Sequence, residues 1–201
     1  MLRIYKIQNS TVFSSNCYIL ISDGRFAVID PSSTYDDVTA AIPELADCEP
    51  VYVLLTHGHI DHIWGINSYV SRGAAVKVAS SDMKMLRDPA LNCAVFISGP
   101  ISSYTGEAEA IREGDVLMLG NESISVLESP GHTEGSVCYS VGDALFTGDT
   151  LFSGGGYGRT DLPGGDMQKL ILSLRKICNL DPAIRIYPGH GDISRLGESL
   201  L

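Results

Sequence analysis

The chain has 201 residues, with 24 acidic and 14 basic side chains, so its formal net charge at neutral pH is −10. This length can bury a substantial core in a single domain, which we assign to residues 1–201. The acidic balance argues against a nucleic-acid-binding surface, which needs clustered basic residues.

The N-terminal residues and the cysteines indicate the compartment. Residues 1–15 contain no continuous apolar run of the kind found in signal peptides, and no run in the chain approaches membrane-spanning length. The five cysteines are widely spaced, odd in number and form no Cys-x-x-Cys pair. This pattern is typical of free thiols in a reducing cytoplasm. We therefore expect a cytoplasmic protein with no membrane partner, and the pattern leaves its oligomeric state open.

Short apolar runs rich in β-branched residues predict the first strands. These predicted strands are residues 2–7, 16–21, 26–29 and 51–55. A helix is predicted over residues 35–42, with Val38, Ala41 and Ile42 facing inward. Further helices are predicted over residues 62–70 and 82–86, on either side of a strand at 76–79.

The second half of the chain repeats this mixture of strands and helices. Its predicted strands are residues 116–119, 124–128, 137–141, 144–147 and 184–187. Asp166 is a predicted N-cap of a helix whose apolar stripe is Met167, Leu170, Ile171, Leu174 and Ile177. Such mixing predicts sheets with helices on their outer faces. Residues 88–115 contain prolines and glycines and show no regular pattern. We interpret them as a wall on the substrate side, with disorder as the alternative.

A cluster of metal-binding residue types follows the predicted strand at 51–55. It consists of His57, His59, Asp61 and His62. Alternate side chains of an extended segment lie on the same side, so His57 and His59 can approach one ion. Imidazole and carboxylate groups together suit zinc, iron or manganese. The cluster therefore predicts a metal site.

The other two histidines lie at similar places. His132 and His190 each follow a Pro-Gly pair at the end of a predicted strand, and Asp149 follows the strand at 144–147. Loops above a rigid scaffold commonly carry binding and catalytic groups. We therefore expect these residues to join the same site.

This set of residues resembles the ligand set of the metallo-β-lactamase superfamily. Within that superfamily, glyoxalase II-like hydrolases are similar to three further segments: Asn16-Cys17-Tyr18, Pro130-Gly131-His132-Thr133 with Gly135-Ser136, and Gly148-Asp149-Thr150-Leu151-Phe152. The resemblance runs from about residue 2 to residue 193. It implies an α+β fold, the four-layer αββα sandwich, with the ligand loops along one edge of two sheets.

The resemblance also implies the ligands and the reaction. One metal ion is expected on His57, His59 and His132, a second on Asp61, His62 and His190, with Asp149 bridging them. The expected cofactor is a pair of divalent ions, zinc first, with iron and manganese as alternatives. Asp61 and Asp149 are assigned catalytic roles. A metal-bound hydroxide is expected to attack the carbonyl of a small thioester, of the acylglutathione type, with the thiol portion left open.

The glycine-rich segment 154–161 lacks the Gly-Lys-Ser/Thr ending of a phosphate-binding loop. Because it follows Asp149, we expect it to border the metal cleft, and we assign Tyr157 and Arg159 to substrate binding. Its Gly-Arg-Thr-Asp ending resembles single-domain glyoxalase II-like proteins and persulfide dioxygenases. Arg159 could bind a substrate carboxylate or pair with Asp161 or Asp166.

Four alternative functions predict different residues or a different site. A flavodiiron oxygen reductase would have a glutamate at the position of His59. A persulfide dioxygenase has the same scaffold but one iron ion, on two histidines of the first site and the aspartate, Asp149 here. Such enzymes often have a cysteine near the position of Tyr157. A true β-lactamase would have a zinc-binding cysteine in place of Asp149. A structural zinc protein would have a closed, tetrahedral site, whereas the residues here leave positions open.

Overall fold

The computed structural model of this protein describes residues 1–8, 15–97 and 104–199. These residues form two six-stranded sheets that pack face to face, with helices on the outer faces. This is the predicted α+β, four-layer αββα sandwich.

The first sheet contains the N-terminal half of the chain. Its strands, in spatial order, are β1 (Arg3–Gln8), β2 (Asn16–Ser22), β3 (Arg25–Ile29), β4 (Glu49–Leu54), β5 (Ala75–Ala79) and β6 (Glu109–Ile111). β1, β2 and β3 pair antiparallel, whereas β3 to β6 are parallel. The carboxyl ends of β3, β4 and β5 therefore meet at one edge of the sheet.

The second sheet contains the C-terminal half. Its strands are β7 (Val116–Leu119), β8 (Glu122–Glu128), β9 (Val137–Val141), β10 (Ala144–Gly148), β11 (Arg185–Pro188) and β12 (Ser194–Arg195). Their spatial order is β12-β11-β10-β9-β8-β7, and only the β10–β11 pair is parallel among the pairs the described residues form in this sheet.

The helices are short except for the last one. They are α1 (Tyr35–Ala41), α2 (Ile60–Ile63), α3 (Ile66–Val70) and α4 (Met167–Cys178). Short 3-10 turns lie at Pro43–Asp47, Ser80–Asp82, Ala94–Phe96, Ser153–Gly155 and Leu196–Ser199. Asp166 is the N-cap of α4, as predicted: its carboxylate accepts hydrogen bonds from the backbone N–H groups of Gln168 and Lys169.

Three apolar clusters lie at the three interfaces between the four layers. Residues such as Val38 and Ile66 pack on the outer face of the first sheet. Tyr18 and Phe146 belong to the cluster between the sheets, and Ile177 of α4 packs on the outer face of the second sheet. Burial of each such side chain contributes about 1.5–3 kcal/mol.

The helix predicted over residues 62–70 is instead two helices, α2 and α3, separated at Gly65. The backbone N–H of Gly65 donates a hydrogen bond of 2.6 Å to the carbonyl oxygen of Pro31. A Cβ at Gly65 would lie 2.3 Å from the carbonyl oxygen of Ser33. The helix is interrupted because the Gly65 N–H bonds to Pro31, outside the helix, and this close approach of two backbone segments requires a glycine.

Other local predictions were wrong. The helix predicted over residues 82–86 is only the 3-10 turn Ser80–Asp82. Ala41 is exposed, and Met167 and Ile171 are 41% and 42% exposed. Periodicity identifies the buried side of a helix but not the width of the surface that covers it.

Two features in the segment 88–115 were missed, namely the turn Ala94–Phe96 and strand β6. Residues 98–103 of this segment lie outside the described residues. Within the described part of the chain, none of the helices is long and apolar enough to cross a membrane. The expected compartment stays a prediction.

The two sheets are tied together at the start of β2. The hydroxyl of Tyr18 donates a hydrogen bond of 2.6 Å to the carbonyl oxygen of Pro188. The side-chain amide of Asn16 donates to the same oxygen at 2.8 Å and to that of Gly191 at 3.0 Å. The loop after β11 is therefore held by the first sheet.

We expect Tyr18→Phe to destabilise the fold by about 1 kcal/mol, because it removes a buried hydrogen bond and leaves the ring in place. Urea unfolding monitored by circular dichroism measures this change. Tyr187→Phe is the control, since Tyr187 packs against Tyr18 in the same cluster and its hydroxyl has no hydrogen bond to any described residue. Equal midpoints for Tyr18→Phe and wild type would contradict this account.

Candidate metal centre

The predicted ligand residues all lie at one edge of the two sheets, in loops or in the short helix α2. The loop after β4 carries His57 and His59, and α2, which starts directly after His59, carries Asp61 and His62. His132 lies between β8 and β9, Asp149 follows β10 and His190 follows β11. His59 has extended backbone angles and is the N-cap of α2. The strand therefore ends, and the helix begins, within the motif.

The first ligand cluster consists of His57, His59 and His132. One ligand atom from each lies within 4.8 Å of the others. His59 Nδ1 and His132 Nε2 are 2.9 Å apart. All three side chains are buried, which makes them unavailable to bulk water.

The second ligand cluster consists of Asp61, His62 and His190, with the same 4.8 Å limit between ligand atoms. Asp61 Oδ2 lies 3.5 Å from His62 Nε2 and 3.3 Å from His190 Nε2. This cluster contains a carboxylate, so it can carry a more negative charge than the first.

Asp149 lies between the two clusters. Its Oδ2 is 3.5 Å from His132 Nε2, in the first cluster, and 3.5 Å from His190 Nε2, in the second. Its Oδ1 is 3.4 Å from His62 Nε2. One carboxylate therefore faces both clusters at once.

Several atoms that point into the centre have no hydrogen-bond partner among the described residues. These atoms are His57 Nε2, His62 Nε2 and Asp149 Oδ1, and all are buried. A buried polar atom without a partner costs about 1–3 kcal/mol. Divalent metal ions in the two clusters would satisfy all three, and nitrogen and carboxylate oxygen are suitable ligands. The residues present therefore fit a metal centre.

Hydrogen bonds on the far side of the rings orient the imidazoles. His62 Nδ1 lies 2.9 Å from Asp30 Oδ2, and His132 Nδ1 lies 2.7 Å from the carbonyl oxygen of Arg159. Carboxylate and carbonyl oxygens only accept, so Nδ1 donates in both cases and Nε2 is the nitrogen left to bind a metal ion, in His62 once its second proton has been displaced. Such partners set the tautomer of metal-binding histidines.

Asp30, at the end of β3, was missed as a site residue. Its carboxylate accepts hydrogen bonds from the Thr56 backbone N–H at 2.8 Å and from the Thr56 hydroxyl at 2.6 Å. It is also near His57 and His62, but these bonds already occupy it, so we assign it to orienting His62. An acidic residue directly after a strand that pairs with β4 was the signal available in the sequence.

The two clusters differ in charge when no metal is bound. Burial, reinforced by the other histidines, holds the pKa of His57 well below its usual value. Burial and His132 lower the pKa of His59 to about 3. Burial also disfavours a charged His62, but Asp61, Asp149 and Asp30 outweigh it and raise its pKa to about 10. A metal ion in the second cluster must therefore displace a proton from His62.

Glycines allow the ligand loops to approach each other closely. A Cβ at Gly189 would lie 2.2 Å from Asp149 Oδ1, and one at Gly158 would lie 2.5 Å from the carbonyl oxygen of Asp149. The Gly158 backbone N–H donates to that oxygen at 2.7 Å. The glycine-rich segment therefore borders the metal cleft.

Gly158 lies between the two residues assigned to substrate binding. Tyr157 is 48% exposed. The guanidinium of Arg159 forms a two-point ion pair with Asp161, at 2.6 and 2.5 Å. Of the alternatives for Arg159, the ion pair with Asp161 is present in the structure. Its contact with a substrate carboxylate stays a prediction.

The segment before residue 98 also reaches the centre. The Ile60 backbone N–H donates to the Asn92 carbonyl oxygen at 2.9 Å. Burial raises the pKa of Cys93, and the charges of Asp61 and Arg159 also act on it. This part of the segment 88–115 therefore lies beside the cleft.

The sequence model of the metallo-beta-lactamase superfamily matches residues 10–190. The chain belongs to this superfamily. The superfamily consists of metallo-hydrolases that bind metal ions, and its fold is the one described above. The chain is 33% identical to hydroxyacylglutathione hydrolase GloC of Haemophilus influenzae, over 94% of this chain and 91% of that protein.

Three solved structures are similar to the chain over 98% of its length. The B3 metallo-beta-lactamase BLEG-1 has a TM-score of 0.87 and 29% identity, over 96% of its chain. TTHA1623 in a di-iron-bound form has a TM-score of 0.85 and 28% identity, also over 96% of its chain. ETHE1 from Myxococcus xanthus has a TM-score of 0.75 and 26% identity, over 80% of its chain.

We expect Asp30→Asn to weaken metal binding by about tenfold to a hundredfold, because His62 loses the carboxylate that orients it. Competition with a chromogenic chelator measures the affinity. Asp36→Asn is the control, since this exposed carboxylate pairs with Arg72 on the surface. Wild-type affinity in Asp30→Asn would refute the orienting role.

We expect Gly189→Ala to reduce the bound metal, because the added methyl group must displace the carboxylate of Asp149. Metal content after dialysis, measured by plasma mass spectrometry, tests this. Gly142→Ala is the control for an added methyl group, since Gly142 has open space at its Cβ. Its positive φ adds backbone strain that Gly189 does not have, so the control is the more strained of the two variants. Equal metal losses in both variants would mean that general destabilisation, rather than contact with Asp149, is the cause.

Proposed function

We propose that this protein is a metal-dependent hydrolase of the glyoxalase II-like group that cleaves a small thioester of the acylglutathione type. The observation that carries the proposal is the position of Asp149, whose carboxylate faces both ligand clusters. Two clusters that share a carboxylate are suited to a pair of ions. The relation to GloC, a hydroxyacylglutathione hydrolase, supports the substrate class.

The proposed cofactor is two divalent metal ions, zinc first, with iron or manganese as alternatives. His57, His59 and His132 would hold one ion, Asp61, His62 and His190 the other, with Asp149 between them. Bound there, such ions would supply an acidified water and polarise the carbonyl oxygen of the substrate.

The charges of the residues around the metal centre decide which of them can transfer a proton. Burial disfavours an ionised Asp61, but His62 and His190 outweigh it and hold its pKa well below the usual value. Asp61 is therefore ionised at neutral pH and cannot act as a general acid. A thioester suits such a site, because its thiolate leaving group, with an ordinary pKa of about 8.5, needs little protonation.

Tyr157 and Arg159 are proposed to contact the substrate. Both adjoin Gly158, which touches Asp149, and the ring of Tyr157 is half exposed. A substrate carboxylate can bind the guanidinium only in competition with Asp161, so we expect this contact to favour substrates with an extended anionic group.

The second candidate function is a mononuclear-iron persulfide dioxygenase. The similarity to ETHE1 of Myxococcus xanthus favours it, and Asp149 lies beside His132 as a single-iron site requires. Against it, Asp61, His62 and His190 form a complete second cluster, which a single ion would leave unused.

Metal analysis of protein purified without added metal separates these candidates. We expect close to two ions of zinc, iron or manganese per chain, and hydrolysis of acylglutathione thioesters monitored by thiol release. One iron ion per chain together with oxygen consumption on glutathione persulfide would establish the dioxygenase instead. Absence of metal after reconstitution with all three ions would overturn both.

We expect His59→Ala and Asp149→Ala to lower turnover by at least about a hundredfold and to reduce bound metal, because each removes a ligand. Thioester cleavage and metal content are measured on the same samples. Asp143→Ala is the control, since this exposed carboxylate pairs only with Arg185 among the described ion pairs. Full turnover in either ligand variant would refute the assignment.

A further inference from the structure

A buried carboxylate that belongs to neither ligand cluster lies between two of the ligand loops. It is Asp82, in the 3-10 turn Ser80–Asp82 after β5, and its side chain is only 1% exposed. A buried carboxylate is costly unless its oxygens accept hydrogen bonds. The groups that donate to it therefore indicate what it does.

The three donors to Asp82 come from the two loops that carry the first ligand cluster. Oδ2 accepts from the backbone N–H of Gly58 at 2.9 Å and from the hydroxyl of Thr133 at 2.7 Å. Oδ1 accepts from the backbone N–H of Gly135 at 2.8 Å. Gly58 separates His57 from His59, and Thr133 follows His132 directly. One carboxylate thus connects the loop from the first sheet with the loop from the second.

The fit around Asp82 leaves the loops little freedom. A Cβ at Gly135 would lie 2.6 Å from Asp82 Oδ1, and one at Gly58 would lie 2.6 Å from the Cβ of Met85. Both glycines are therefore required by the approach of the loops to the turn and to Met85 just after it. Movement of either loop would break hydrogen bonds to a group that water does not reach.

The charge on Asp82 has no cationic partner among the described salt bridges of this chain. Burial raises the pKa of its carboxyl group above the usual value, and the hydrogen bonds from Thr133, Gly135 and Gly58 offset part of this rise. The carboxylate is therefore stabilised by the same donors that it positions. Hydrogen bonds to an ionised acceptor are shorter and stronger than neutral ones.

We infer that Asp82 is a positioning residue that holds His57, His59 and His132 in the geometry needed to bind one metal ion. It reaches them through Gly58, Thr133 and Gly135 and touches no substrate. The inference rests on the proposed metal centre but not on the identity of the thioester. It predicts damage confined to the first cluster, because none of these contacts involves His62 or His190.

The test is titration of metal-free protein with Co²⁺ alone, followed by its visible absorption spectrum and by chelator competition. In Asp82→Asn, whichever way the amide lies, its NH₂ group faces a backbone N–H of Gly58 or Gly135. We expect one equivalent of Co²⁺ to bind at least about tenfold more weakly than in wild type, with an altered spectrum. The other equivalent keeps its affinity.

Thr133→Val and Thr133→Ser keep the test decisive if Asp82→Asn does not fold. The first variant removes the hydroxyl and the second retains it. We expect Thr133→Val to weaken the same equivalent and Thr133→Ser to restore it. Leu45→Ala is the control for stability alone, since Leu45 is buried in the turn Pro43–Asp47, outside both loops.

The outcomes distinguish failure of the proposed metal centre from failure of the proposed role of Asp82. Wild-type protein that binds no Co²⁺ would refute the metal centre itself. Wild-type protein that binds two equivalents, with Asp82→Asn and Thr133→Val unchanged in affinity and spectrum, would refute only the role of Asp82. Equal loss of both equivalents in Asp82→Asn and in Leu45→Ala would also refute it, because stability alone would then explain the effect.

Discussion

Burying the carboxylate of Asp149 among imidazole rings costs free energy unless opposite charges or metal ions compensate it. The rest of the structure can be understood from this constraint. Loops from both sheets must meet at one edge to surround the carboxylate, and glycines such as Gly189 must stand where a side chain would push it away. Without metal, part of the compensation comes from a proton on His62, which the three nearby carboxylates retain.

The orientation of the ligands depends on groups that bind no metal. Asp30 and the carbonyl oxygen of Arg159 each fix the tautomer of one histidine, and Asp82 joins the loops on which the first cluster lies. The sheets supply the rigid part, through the hydrogen bonds from Asn16 and Tyr18 to Pro188. The ligand loops are therefore held by residues from both halves of the chain, which favours a single arrangement of the ligand atoms.

The sequence predicts the site better than it predicts the residues that support it. The spacing of His57, His59, Asp61 and His62 after a strand is itself typical of metal ligands. The positions of most strands along the chain follow from the apolar runs. The break at Gly65 and the turn at Asp82 could not be predicted, because both depend on contacts with residues distant in the sequence. The sequence gives a weak indication of Asp30, which is an acidic residue directly after a strand. It gives no indication of the carbonyl oxygen of Arg159, since every residue has a carbonyl oxygen. Exposure of Ala41 and Met167 depends on how far each sheet extends under its helix.

The hydrogen bonds between Asn16 and the loop after β11 join residues that are synthesised at very different times. Asn16 and Pro188 are 172 positions apart, and contacts of such separation form slowly because closing the long loop between them costs entropy. During synthesis from the N-terminus, the three histidines of the first cluster are present once residue 132 has been added. The second cluster must wait for residue 190. The chain therefore acquires its two sets of ligands at different stages, and a nascent protein can hold the first set well before the second exists.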